Sequence, residues 1–172
     1  MADNGNRDAR YEAVAAEVLS GLNDRDTAEG LGHIKVLVYS WYDDAGDIDP
    51  DDLFHIGLAD LKQALAHVTG TRRVQALGAL ALERTVETLS SRAFRLAQGV
   101  IDETTSAQSV QGEASAIAQD IDALLPRVKL LHDVSLRERL LRELADADLE
   151  CRYIKEGDNS VMSIRLNQYS DR

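Results

Sequence analysis

Apolar residues return every three or four positions along most of this chain, and that period predicts helices over most of its length. Across residues 7–22, Tyr11, Val14, Ala15, Val18, Leu19 and Leu22 share one face, and Gly21 with the polar stretch after it ends the helix. Residues 27–41 carry two readings. Ile34 to Tyr39 is rich in β-formers, but Leu31, Ile34, Val38 and Trp41 keep helical spacing, and helix is preferred, starting near Thr27 and Glu29. A third helix begins at Pro50. Asp49 is its N-cap, proline suits the first helical position, and Asp51 and Asp52 complement the positive end of the dipole. Phe54, Leu58, Leu61, Leu65 and Val68 form its apolar stripe.

After Gly70 and Thr71 a long helix runs to about Gly99, with Val74, Leu77, Ala81, Leu89, Ala93 and Leu96 toward its inner face. Over residues 106–125, Ala107, Val110, Ala114, Ile117, Ile121 and Leu124 alternate steps of three and four, a narrow heptad seam. Pro126 opens another turn or two of helix, and Ser135 with Glu138 reads as a capping box ahead of Leu140, Leu141 and Leu144.

The period then shortens to two. Leu149, Cys151 and Tyr153 alternate with charged residues, Glu156 to Asn159 has turn chemistry, and Met162, Ile164 and Leu166 alternate again. The expected fold is therefore mainly α. It is an antiparallel bundle of five to seven helices in one domain over residues 1–172, with a flexible N-terminus at 1–6. A two-stranded β-hairpin at 149–167 packs on the bundle.

Composition supports that reading. Hydrophobic residues make up 44% and aromatics only 5%, a mixture that suits packed helices better than a sandwich or barrel. The net charge of −11 is unevenly spread. Residues 1–69 hold 14 acids and 5 bases, whereas residues 70–100 hold 2 acids and 5 bases. Such an acidic chain is repelled by phosphate backbones and anionic lipid, so general nucleic-acid or membrane binding is not expected. The N-terminal residues have no apolar signal core, and no run is long enough to span a membrane, so a cytoplasmic setting is expected. Cys151 is the only cysteine, which leaves no internal disulfide and no cysteine cluster for zinc; it reads as a small buried hydrophobe.

Candidate chemistry is sparse. Six of the ten residues from Asp43 to Asp52 are aspartate. Two calcium-loop registers fit in part. One puts Gly46 at the sixth position but Trp41 at the first; the other puts Asp47, Asp49 and Asp51 at positions one, three and five but Leu58 at the last. A cap beside a solvated acidic loop accounts for the same residues. Asp51 and His55, four apart, could meet on one helix face, while His33, His67 and His132 stand alone. Arg73, Arg84 and Arg95 are spaced by eleven and read as one outer stripe, with the acids at 43–60 and 101–122 as partners. Interior glycines at Gly57, Gly78 and Gly112 suit close helix approach or a cavity. Nucleotide-binding, zincin and nucleophile-elbow motifs are absent.

These features point to a non-enzymatic adaptor or regulatory module working through protein contacts, with no cofactor, catalytic residue or metal ligand assigned. The narrow seam suits a homodimer through the 107–124 helix. One alternative is a metal-dependent or small-molecule enzyme with a site between helices near Asp47, Asp51 and His55. Another is a winged-helix regulator using the helix after Ser135, the hairpin, and Arg137, Arg139, Arg142, Arg152 and Lys155.

Overall fold

A computed structural model of the protein describes residues 4–43 and 46–156, and all regular structure among them is helical. The six helices are α1 (Asn4–Val18), α2 (Asp24–Asp43), α3 (Pro50–Leu65), α4 (Thr71–Ile101), α5 (Ala107–Lys129) and α6 (Val134–Glu156). The chain divides into two compact units, Met1–Arg84 and Thr85–Arg172, so the long α4 contributes its first half to one and its second half to the other.

In the first unit the apolar stripes foreseen for α1, α2 and α3 meet. Val14, Val18, Ile34, Val38, Leu61, Leu65, Leu77 and Ala81 form one buried cluster, with Trp41, Tyr42, Phe54 and Leu58 packed against it. The β-formers at 34–39 are helical because Ile34, Leu37 and Val38 bury on one side while Lys35 and Val36 face out, a period that a strand cannot supply. Residue-level caps set the ends. Asn23 Oδ1 accepts from the Asp26 N–H at 2.8 Å, so α2 starts earlier than Thr27 suggested. Asp49 caps α3 as expected, with Pro50 at the first helical position.

In the second unit the seam of α5 is buried within the single chain. Val110, Ala114, Ile117, Ile121 and Leu124 are buried, and α6 is the helix that α5 packs against most extensively. From α6, Leu140, Leu144, Ala147, Cys151 and Ile154 are buried. The narrow stripe is therefore no free surface for a second copy. Its flanking glutamines and serine are exposed or half-exposed at the edges of an ordinary intramolecular helix pair. Pro126 lies inside α5 instead of opening a new element. Asp133, and not Ser135, caps α6, its Oδ1 accepting from the Leu136 N–H at 2.9 Å.

The hairpin expectation is corrected in its first arm. Residues 149–156 continue α6, because Ala147, Cys151 and Ile154, spaced by four and three, extend the buried line begun by Leu140 and Leu144. The alternation of Leu149, Cys151 and Tyr153 with Glu150 and Arg152 is a coincidence of that helical face. The second arm, at 162–166, lies outside the described residues. A winged helix needs a strand directly after its recognition helix, and the helical course of 149–156 removes that premise.

Candidate functional site

At the acidic loop and the start of α3 the fold itself engages several of the polar groups. Asp49 Oδ1 accepts from the Asp51 N–H at 2.7 Å, which makes it a helix cap. The Asp51 carboxylate forms an ion pair with Arg10 of α1. The same guanidinium donates to the Tyr42 hydroxyl at 2.8 Å and to the Pro50 carbonyl at 3.2 Å, and stands 5.2 Å from the centre of the Phe54 ring. One arginine thus fastens the ends of α2 and α3 to α1, combining charge-assisted bonds with a cation–π contact.

Neither calcium register gains support here. Trp41, first in one, is a packing residue. Its ring lies edge-on to Phe54 at 6.3 Å and so close to Gly57 that a Cβ there would meet it at 2.4 Å. In the other, Asp49 is a cap and Asp51 is held by Arg10, leaving Asp47 exposed without them. His55 is exposed, its ring edge 5.6 Å from Phe54, while the carboxylate one turn earlier faces Arg10. The structure therefore does not bring Asp47, Asp51 and His55 together as a site. His33 Nε2 lies 3.9 Å from Glu29 Oε1 beside Gly78, and His67 and His132 are exposed. Among the described residues, no three His, Cys, Asp or Glu side chains are grouped to hold a metal ion.

The arginine stripe of α4 is also corrected. Arg73 and Arg84 are half-buried and reach backbone carbonyls. Arg73 donates to Val68 at 2.7 Å and to Val18 at 3.1 Å, satisfying a carbonyl at the end of α1, and Arg84 donates to Ser40 at 3.5 Å. Charge pairing between α4 and the acids of α5 does occur, through Arg92, which lies 4.0 Å from Glu113 and 3.9 Å from Asp120.

A groove in the second unit escaped the sequence reading. It encloses about 350 Å³ between α4 and α6 and is lined by Ser90, Phe94 and Arg95 on one side and Glu143, Asp146 and Glu150 on the other. Glu150 is 4% exposed, the only charged side chain among the described residues that is buried. Its signal in the sequence is the spacing of Glu143, Asp146 and Glu150 by three and four, which the period of two over residues 149–153 masks. Beside it, burial pushes the Cys151 thiol up to about 11; Glu150 and Asp148 add to the rise, and Lys155 and Arg92 oppose it. A buried thiol held protonated is a packing residue and a poor nucleophile.

No model of a known protein family, no curated protein and no solved structure matches this chain. No helix among the described residues is long and apolar enough to cross a membrane.

Proposed function

We propose that this chain is a non-enzymatic adaptor or regulatory module whose working surface is made for protein contacts. The observation that carries the reading is where apolar side chains face solvent. Ile48 and Ile56 are 52% and 58% exposed beside the acidic loop, and Leu130 and Val134 are 79% and 52% exposed at the turn between α5 and α6. Exposed aliphatic side chains rimmed by charge suit an association surface, whose centre is apolar and whose edge is polar. The engagement of Asp49 and Asp51 in capping and pairing agrees with it, since those carboxylates serve the fold.

The reading is tested by the native mass of the protein in extract from the cells that make it, followed by immunodetection after size exclusion. The expected result is an assembly heavier than one chain at the natural concentration. Elution as a single chain, unchanged by chemical crosslinking beforehand, overturns the proposal.

A further inference from the structure

We draw no further inference here: the strongest candidate, the groove of about 350 Å³ between α4 and α6, carries none, because its charged side chains already have partners, Glu143 in Arg139 at 3.1 Å, and no second feature of the structure points to a ligand.

Discussion

Up to Arg84 the helices are held by contacts with demanding geometry: an indole against a glycine, an arginine on a ring and a carboxylate, guanidinium groups on carbonyls at helix ends. From Thr85 onward the described residues rely on longer helices whose aliphatic residues recur in register, with a few ion pairs at the edge. The first arrangement adds to its buried aliphatic cluster a set of individual side chains whose geometry a substitute would have to reproduce. The second depends on volume and periodicity, so it tolerates exchange among aliphatics but not the entry of charge.

The largest expected effect comes from putting a charge into the second unit. Ile117→Asp places a carboxylate where the side chain is wholly buried, and should cost about 4 kcal/mol or more, enough to abolish the cooperative melt seen by circular dichroism. The same change at the exposed Ile56 of the first unit should cost only about 1 kcal/mol, from helix propensity and from the like charges of Asp52 and Asp60 four residues to either side. Equal effects at the two sites would break the contrast.

Glycine substitutions sharpen it next. Gly57→Ala drives a Cβ into the Trp41 ring and should destabilise by about 1–3 kcal/mol even after the gain in helix propensity, with a change in tryptophan emission. Gly112→Ala meets nothing within 4 Å, so it should stabilise by up to about 1 kcal/mol in urea unfolding. The same replacement thus takes opposite signs in the two units.

A pH effect is expected from the buried thiol of the second unit. The native state holds the Cys151 proton more tightly than the unfolded chain, whose thiol titrates near 9.0. The native state therefore binds more protons between pH 9 and pH 11, and stability falls as pH rises through that window. The loss is on the order of 2 kcal/mol, read as the difference in urea midpoint between wild type and Cys151→Ala across the window. A difference that does not change with pH would show the thiol to be less buried than described.

The smallest expected effect is that of calcium on the first unit. With Asp49 capping and Asp51 paired, millimolar calcium should leave the melting temperature where magnesium leaves it. A site filled to 100 times its dissociation constant would add about 2.7 kcal/mol, which a melt would reveal.

The period of apolar residues made the helices readable, and Asp49 with Pro50 made one boundary readable to the residue. What escaped depended on partners distant in sequence. Nothing near Arg10 announces that it will meet Asp51, Tyr42, Pro50 and Phe54, more than thirty positions on. Gly57 was seen as an anomaly, but only the position of Trp41 explains it. The α5 seam was read correctly as a line of contact, yet a stripe does not say whether its neighbour lies in the same chain. At 149–153, five residues were too short to separate a period of two from the end of a long helix.

The 31 residues of α4 have a consequence for how the chain can be cut. Starting a helix is improbable, with a nucleation constant of about 10⁻³, while lengthening one is nearly free of that penalty. A helix shared by two units needs to be started only once, so whichever unit orders first supplies a template from which the other half can grow. Cleavage at the Arg84–Thr85 boundary would remove that advantage and leave each fragment with a frayed half-helix as one wall of its core. A fragment meant to fold alone is better ended after Ile101, or begun at Thr71, than divided where the units meet.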